Sequence, residues 1–373
     1  MNLSVCIIAK NEEKYIEKCM QCLSDKEVQI VVADTGSTDK TKEIAKKYTE
    51  FVYDFKWIDD FGAAKQFAVS KASNDNILIL DCDEYLQSDK TVLEKLNSML
   101  ENEPRRAGRI KCINVLEDDS KNTDWITRAF NRKYYKVEGK IHEQIVKADG
   151  EPADTFLSAV VIKHVGYALN DDEKKKKASR NIKLLKKRLA ELEKNFDSDI
   201  TQNNEKEIPY IYYQLGKSYY MEKDYNNACD FFSKGLSFDL ETKLEYVIDM
   251  VETYGYAMLN SGKVQEALSY TSIYDVFGNS ADFKFLMGLI YMKNAMFDEA
   301  VNEFQKAAEY KESRVEGANS YLAYYNIGVI YECLGNIGKA QEYYKKCNGY
   351  SKAVERLKNG RHGNLTKCRK TGV

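Results

Sequence analysis

Ile77-Leu78-Ile79-Leu80 running straight into Asp81-Cys82-Asp83-Glu84 is the stretch on which the fold turns. A short continuous apolar run of this kind reads as a strand buried on both faces. Leu3 to Ile8 and Ile30 to Ala33 have the same character, while Glu12 to Leu23, Thr38 to Tyr48 and Phe61 to Ala72 read as helices between the strands. Strand, helix, strand in this order predicts a parallel sheet with right-handed crossovers. In such sheets ligands sit beyond the carboxyl ends of the strands. Asp81 and Asp83 leave the sheet at that end, where two carboxylates can hold a hard divalent cation and the cation can clamp a diphosphate. An Asp-x-Asp taken alone also reads as turn-forming acids at a strand end. Cys82 is expected to point away from its two neighbours, because alternate residues of an extended segment face opposite sides.

The composition sets the frame around this stretch. The chain has 373 residues, 43% of them hydrophobic, and a net charge of -2, enough for two domains that each bury a core. Lys and Arg number 56 against 58 Asp and Glu, so no global field exists to hold nucleic acid or an anionic membrane. Any anionic ligand must be held locally. Nine cysteines include one CxxC, Cys19 and Cys22, with no second pair at zinc-site spacing, which points to a reduced compartment. Met1 to Lys10 lacks a basic region followed by an apolar core, and no apolar run reaches the roughly 18 residues of a membrane span. The expected location is cytoplasmic.

After Asp171 the strand signal stops. Glu173 to Lys194 carries Ile182, Leu185, Leu189 and Leu192 at helical spacing, which predicts a connecting helix; its Lys174 to Lys177 run reads as a solvated face. From Pro209 an internal repeat runs through Gly216, Gly255, Gly288 and Gly328, each followed twelve residues later by an alanine, Ala228, Ala267, Ala300 and Ala340. Tyr219, Tyr291 and Tyr331 lie three residues past their glycines, and Phe232, Phe304 and Tyr344 four past their alanines. This pattern resembles the tetratricopeptide repeat, in which small residues let paired helices touch and aromatics fill the spaces between. The second unit is degenerate, with Met258 and Thr271 at the aromatic positions. Successive glycines are 39, 33 and 40 residues apart, so two units carry longer connections than a repeat of about 34 residues needs. The domains are expected at 1–170, with a connecting helix and linker at 171–205, helical repeats at 206–358 and a flexible basic tail at 359–373. Solenoids of this type offer a concave face to a peptide or to a second copy of themselves, which makes a homodimer through the repeats one candidate assembly.

The first half resembles glycosyltransferase family 2, whose catalytic domain has the Rossmann-like α/β GT-A fold. Ser4-Val5-Cys6-Ile7-Ile8-Ala9-Lys10-Asn11-Glu12 is similar to that family's first strand and nucleotide-binding turn, which implies donor contacts by Ala9, Lys10, Asn11 and Glu12. Val31-Val32-Ala33-Asp34-Thr35-Gly36-Ser37-Thr38-Asp39 is similar to the second strand and loop. The resemblance places Asp34 on the nucleotide base, uracil if the donor is a UDP-sugar; on a plainer reading Ser37 or Thr38 caps a helix starting near Asp39. Trp57 to Lys65 resembles a third motif, in which a basic residue on a helix approaches the diphosphate. Relatives usually carry Arg-Asn where this chain has Lys65-Gln66, and lysine keeps the charge without the bidentate fork.

Arg128-Ala129-Phe130-Asn131-Arg132 and Gly139-Lys140-Ile141-His142-Glu143-Gln144 resemble a segment of the repeat-bearing members of the family. The resemblance implies a donor-side role for Asp81, Cys82, Asp83 and Arg128, and an acidic residue at the acceptor side. Glu143 is the candidate base and His142 the alternative, since imidazole also titrates in the useful range. Val160 to Tyr167 resembles a strand whose closing histidine, His164, joins Asp83 as a metal ligand. Oxygen and imidazole donors suit manganese or magnesium better than zinc.

The expected whole is a GT-A domain followed by an all-α array of tetratricopeptide-like repeats, an inverting, metal-dependent transferase. Its donor would be a nucleotide sugar, a UDP-hexose or UDP-N-acetylhexosamine, and its acceptor a peptide or protein side chain, as in the bacteriocin S-glycosyltransferases that this pairing of domains resembles. Two alternatives stay open: a transferase that builds cell-surface glycan, and a non-reacting GT-A scaffold whose repeats do the work. A dinucleotide-binding dehydrogenase is excluded because Ala9-Lys10-Asn11-Glu12 lacks the closely spaced glycines its first turn needs.

Overall fold

Strands β1 (Leu3–Ala9) and β4 (Asn76–Asp81) are apolar at nearly every position because both of their faces are covered. Val5, Ile7, Leu78 and Leu80 point into one core, and Cys6, Ile77 and Ile79 into another on the opposite face. The computed structural model describes residues 1–115, 121–149, 151, 153–166, 171–195 and 202–361. It divides into two units, Met1–Glu173 and Lys174–Val373.

In the first unit the chain runs β1, α1 (Ile16–Gln21), β2 (Gln29–Asp34), α2 (Thr41–Ala45), β3 (Val52–Asp54), α3 (Phe61–Ser70), β4, β5 (Glu84–Leu86) and α4 (Lys90–Asn102). It continues through β6 (Ala107–Val115), β7 (Lys121–Asn131), β8 (Tyr135–Glu138), β9 (Gln144–Lys147) and β10 (Thr155–His164). Among the described residues eight strands form one sheet in the order β3-β2-β1-β4-β7-β6-β10-β5, and β8 pairs with β9 separately. The first four are parallel as expected, but the sheet as a whole is mixed. β7 runs antiparallel to both β4 and β6. Only residues 116–120 separate β6 from β7, too few for the dozen or more residues of a parallel crossover, so the strand must return antiparallel.

Helices α1 and α2 are shorter than the stretches that predict them. The reason is that the backbone before each is already committed: the N–H groups of Asn11, Glu12 and Glu13 bond to side chains of Ser37, Thr41 and Asp39, and those of Thr38 and Lys40 to side chains of Asn11 and Glu13. Asn11 adopts a left-handed φ of 56° to make this possible. Neither Ser37 nor Thr38 caps α2; Asp39 Oδ1 accepts from the Thr41 N–H instead.

The second unit is helical: α5 (Asp171–Asn195, which begins before the boundary), α6 (Gln202–Met221), α7 (Tyr225–Leu236), α8 (Glu245–Asn260), a 3₁₀ segment (Glu266–Ile273) and α9 (Tyr274–Phe277). Then come α10 (Ala281–Lys293), α11 (Phe297–Ala308), α12 (Tyr321–Cys333), α13 (Ile337–Lys346) and α14 (Ser351–Arg361). Leu185 and Leu192 are buried as their spacing predicts. The repeat glycines sit where helix meets helix. A Cβ at Gly216, Gly288 or Gly328 would lie 2.5, 2.6 or 2.5 Å from the ring of Phe232, Phe304 or Tyr344, so the aromatic four residues past each alanine fills the space its glycine leaves.

The degenerate second unit solves the same problem with one residue less. Its second helix is 3₁₀, three residues per turn, so the position stacked on Ala267 is Tyr270 and not Thr271. Tyr270 is buried against Gly255, and its hydroxyl donates to the Val251 carbonyl at 2.6 Å. The 40-residue spacing from Gly288 to Gly328 leaves a long connection between α11 and α12, and that connection turns back across the array. The Arg314 and Val315 N–H groups each bond to Asp282 at 2.9 Å, and the Arg314 guanidinium reaches Glu252 at 2.6 Å and Asp249 at 2.8 Å on α8. Of the tail expected at 359–373, residues 362–373 lie outside the described residues. No helix among the described residues is long and apolar enough to cross a membrane.

Candidate active site

The chain builds β1, β2 and β3 outward in one direction and then places β4 on the other side of β1. The strand order therefore reverses at the carboxyl end of β1, where a crevice opens in sheets of this kind. Ala9 lies beside Asp34 on one flank and Ile8 beside Asp81 on the other. The turn Ala9 to Glu12 is thus flanked by both acids. Asn11 Oδ1 accepts from the Thr38 N–H at 2.8 Å and the Thr35 N–H donates to the Ala9 carbonyl at 2.8 Å, so the two loops are one body. Asp34 is buried, and its Oδ2 accepts from the N–H groups of Gly36 and Ser37 at 3.2 and 3.0 Å. Its Oδ1 is buried without a hydrogen-bond partner among the described residues. A buried acceptor left this way costs on the order of 1–3 kcal/mol, which a ligand N–H can recover. Lys10 holds its ammonium 5.9 Å from the centre of the Trp57 ring.

On the β4 flank a chain of charges crosses four elements, α3, β4, β5 and β7, and the loop before β9. Lys65 is buried because it falls on the inward face of α3 with Gly62, Ala68 and Val69. Its ammonium meets Asp81 at 2.8 Å and Glu143 at 2.6 Å. The structure therefore places this ammonium between two carboxylates rather than on an open phosphate-binding face. Burial would lower the Lys65 pKa, but the two carboxylates outweigh it and raise the value. Arg128 Nη2 donates to Asp81 Oδ2 at 2.9 Å and to Glu84 Oε1 at 2.7 Å. Burial would raise the Asp81 carboxyl, yet Lys65 and Arg128 hold it well below the usual carboxylate range. Burial pushes the Glu84 carboxyl up, against the pull of Arg128.

Glu143 reaches Lys65 because its loop is pinned to the start of α3. The N–H groups of Phe61 and Gly62 donate to the carbonyls of Lys140 and Gly139, and a Cβ at position 62 would lie 2.6 Å from the Gly139 oxygen. Asp60 caps the helix through the Ala63 N–H at 2.8 Å. Gln66, the second departure from the family motif, accepts from the Val137 N–H at 2.9 Å and holds β8 against the same helix. His142 precedes Glu143 with a φ of 53°, and its carbonyl accepts from the Gln144 side chain.

Asp83 and His164 meet from the end of β4 and the end of β10, with Nε2 3.2 Å from Asp83 Oδ2. Cys82 between the acids turns into the core, its thiol 3.4 Å from the Ile8 carbonyl. Gly166 makes room for the pair, since a Cβ there would fall 1.8 Å from Asp83 Oδ2 and 2.8 Å from His164 Nε2. A carboxylate and an imidazole converging beside a glycine fit a manganese or magnesium ion. Glu84, Cys112 and His164 also bring ligand atoms within 4.8 Å of one another. That trio suits a cation poorly. The Glu84 oxygens are taken by Arg128 and the Asp81 N–H, and burial drives the Cys112 thiol far up, away from the thiolate a metal needs.

Glu84 and Gly166 lie within the stretches that resemble family motifs, and Asn114, which bonds His164 Nδ1, lies outside them. The signal for Glu84 was its place three residues after Asp81 at the end of a buried run. For Asn114 the sequence offers none, since a single amide within a strand has no periodicity.

A mixed sheet, parallel on both sides of an acid-lined crevice at its reversal point and with a histidine closing its last strand in the chain, defines a GT-A-like glycosyltransferase domain. Residues 4–164 match glycosyl transferase family 2, and residues 210–234, 281–314 and 321–353 match the tetratricopeptide repeat, so the chain carries a family 2 domain followed by repeats. A TPR repeat-containing protein of Synechococcus elongatus is 22% identical over 351 residues, 91% of this chain and 73% of that relative. The SPbeta prophage-derived glycosyltransferase SunS of Bacillus subtilis is 30% identical over 191 residues, 49% of this chain and 44% of SunS. The chain thus spans less than half the length of that transferase. Among solved structures, residues 1–349 of TarS from S. aureus align over 84% of this chain and 93% of that one at 14% identity and a TM-score of 0.34.

Proposed function

We propose that the protein is an inverting, metal-dependent glycosyltransferase that moves a hexose or N-acetylhexosamine from a UDP-sugar to a peptide or protein side chain. The observation that carries this reading is the buried, unpartnered Oδ1 of Asp34 two strands away from Asp81 across the same crevice. Adjacent strands are about 4.8 Å apart, so the two acids stand roughly 10 Å from each other, a span that a base and a diphosphate joined by ribose can bridge. Asp34 Oδ1 accepts from the uracil imide N–H. Lys10 and the Asn11 turn lie along the ribose and phosphates, and Trp57 backs the Lys10 side chain.

Asp83 and His164 are the residues that would hold the ion, which when bound neutralises charge on the departing diphosphate. Arg128 and Lys65 fix Asp81 in its ionised form beside it. Glu143 removes the proton from the attacking acceptor atom; Lys65 holds its Oε1, and the other oxygen takes the proton. His142 stays an alternative base, but Glu143 is the one of the two that Lys65 ties to Asp81. The repeats favour a polypeptide acceptor or a second copy of the chain, and the reduced, cytoplasmic setting belongs to the same proposal.

A screen of UDP-sugars for UDP release, with and without added manganese and with a chelator, tests the reading. Turnover with one donor that the chelator abolishes is expected. Neither turnover nor nucleotide binding across the donors would overturn it in favour of a non-reacting scaffold.

A further inference from the structure

His164 lies between neighbours that decide which of its ring nitrogens carries hydrogen. Nδ1 is 3.0 Å from Asn114 Oδ1 and Nε2 is 3.2 Å from Asp83 Oδ2. We infer that Asn114 is a positioning residue that locks the neutral His164 ring in the Nδ1–H form and so presents the Nε2 lone pair to the Asp83 side. The inference rests on the proposed metal site only for its purpose; the lock itself follows from hydrogen-bond bookkeeping.

Three adjacent strands supply the parts. In the register of the sheet Asn114 on β6 stands opposite Asn122 on β7 and opposite His164 on β10, and Cys112 stands opposite Asp124. The buried Asn114 amide nitrogen donates to Asp124 Oδ2 at 2.8 Å and to Asn122 Oδ1 at 2.7 Å. A carboxylate only accepts, so the amide cannot be turned over without setting oxygen against oxygen at Asp124. Oδ1 must therefore face the other way. There it receives the Cys112 thiol at 3.4 Å, a group that burial keeps protonated, and His164 Nδ1. An amide oxygen only accepts as well, so Nδ1 must be the donor. Both hydrogens and both lone-pair directions of Asn114 are then used, and the chain of dependence runs from Asp124 through Asn114 to the ring.

Nε2 of a ring so fixed has no hydrogen of its own in the neutral state, yet it faces a carboxylate oxygen at 3.2 Å. Two acceptors at that distance repel unless a proton on the ring or a cation stands between them. In the neutral ring Nε2 and Asp83 are then the groups that would hold a divalent cation, and the same lock removes Nδ1 from any site built on Glu84 and Cys112. Residues that orient a ligating histidine through its second nitrogen typically change metal affinity 10–100-fold when lost.

The test reads the tautomer directly. The chain has three histidines, His142, His164 and His362, so ring ¹⁵N signals of the metal-free full-length protein can be assigned with His142→Gln and His362→Gln variants. Spectra are recorded at a pH where the ring is neutral. Expected is an Nδ1–H pattern for His164 that becomes mixed or Nε2–H in Asn114→Ala, with Mn²⁺ affinity in the presence of UDP falling roughly 10–100-fold by calorimetry. Asp124→Asn, which leaves His164 untouched but frees the amide to turn over, gives a second reading should Asn114→Ala fail to fold; it should also mix the tautomers. An Nε2–H ring in the unmodified protein, or an unchanged tautomer in both variants, overturns the inference. An Nδ1–H ring in a protein that binds no Mn²⁺ with UDP upholds the lock and defeats the proposed metal role.

Discussion

Gly166→Ala is the sharpest perturbation of the candidate metal pair, because it adds one methyl group and nothing else. A Cβ at this position would stand 1.8 Å from Asp83 Oδ2, 2.8 Å from its Cγ and 2.8 Å from His164 Nε2. An ordinary carbon–oxygen contact is about 3.3 Å, so the Asp83 oxygen must withdraw by roughly 1.5 Å. The backbone at Gly166 is outside the left-handed region, so alanine brings no torsional penalty and the effect is steric. Overpacking of this kind costs about 1–3 kcal/mol of stability, which a folded domain of this size tolerates. A misplacement of about 1 Å at a reacting centre costs around a hundredfold in rate. UDP release under a manganese titration should therefore fall about a hundredfold or more, with the manganese requirement shifted upward. Nucleotide binding without metal should persist, since Asp34 lies on the other flank of β1. Circular dichroism and a thermal melt serve as the folding control. A folded Gly166→Ala protein with the parent rate and the parent manganese dependence would refute the pairing of Asp83 with His164 as the ion site.

Glu143→Gln should leave UDP-sugar binding near the parent value and lower transfer by about 10²–10⁴-fold; an equal loss in binding would make Glu143 a substrate-holding residue and not the base. Asp34→Asn keeps the shape but exchanges one acceptor oxygen for a donor, so UDP affinity by calorimetry should drop by about 1–3 kcal/mol, and an unchanged affinity would place the base elsewhere. In the repeats, burial pushes the Glu252 carboxyl up from 4.5 to about 7 despite Arg314 beside it. A carboxyl raised on folding contributes stability that is full below its unfolded value and lost as pH climbs through the folded one. The loss is about 3 kcal/mol between pH 4.5 and 7, and Glu252→Gln should remove it, giving a flatter denaturation midpoint over that same range. Asp249, held well below the usual range against burial by Lys217 and Arg314, stays ionised throughout that window and does not mask the effect. An identical pH slope in parent and variant would show that Glu252 is not the titrating group.

Much of the first unit was legible because its strands are buried on both faces and so read as plain apolar runs. The order of Asp34, Asp81, Asp83, Glu143 and His164 along the chain could be read against a family pattern, and the fold brings Asp81 to Glu143 through Lys65 and Asp83 to His164 directly. Lys65 was harder. Its basic charge suggested a phosphate, while its spacing from Gly62 and Val69 already marked the inward face of α3, and the structure follows the spacing. The antiparallel β7 was not visible because Lys121 to Asn131 mixes polar and apolar residues along a half-exposed strand. Asn114 could not be found at all before the strands were paired, since its role exists only across β7, β6 and β10. In the second unit the glycine and aromatic spacing survived translation into packing, and where Thr271 broke the pattern a change of helix type moved the aromatic to Tyr270.

The return of the α11–α12 connection to α8 bears on how this array can change over generations. Arrays built only of neighbour-to-neighbour interfaces can gain or lose a repeat by duplication or deletion, because each new unit finds the same surfaces on either side. Arg314 breaks that freedom: it reaches over α10 to acids 62 and 65 positions earlier, so removing or inserting one unit between would strand a guanidinium from both carboxylates. The copy number of this stretch is thereby fixed, and lineages of the protein should vary at the ends of the array while the segment from Asp249 to Arg314 keeps its length.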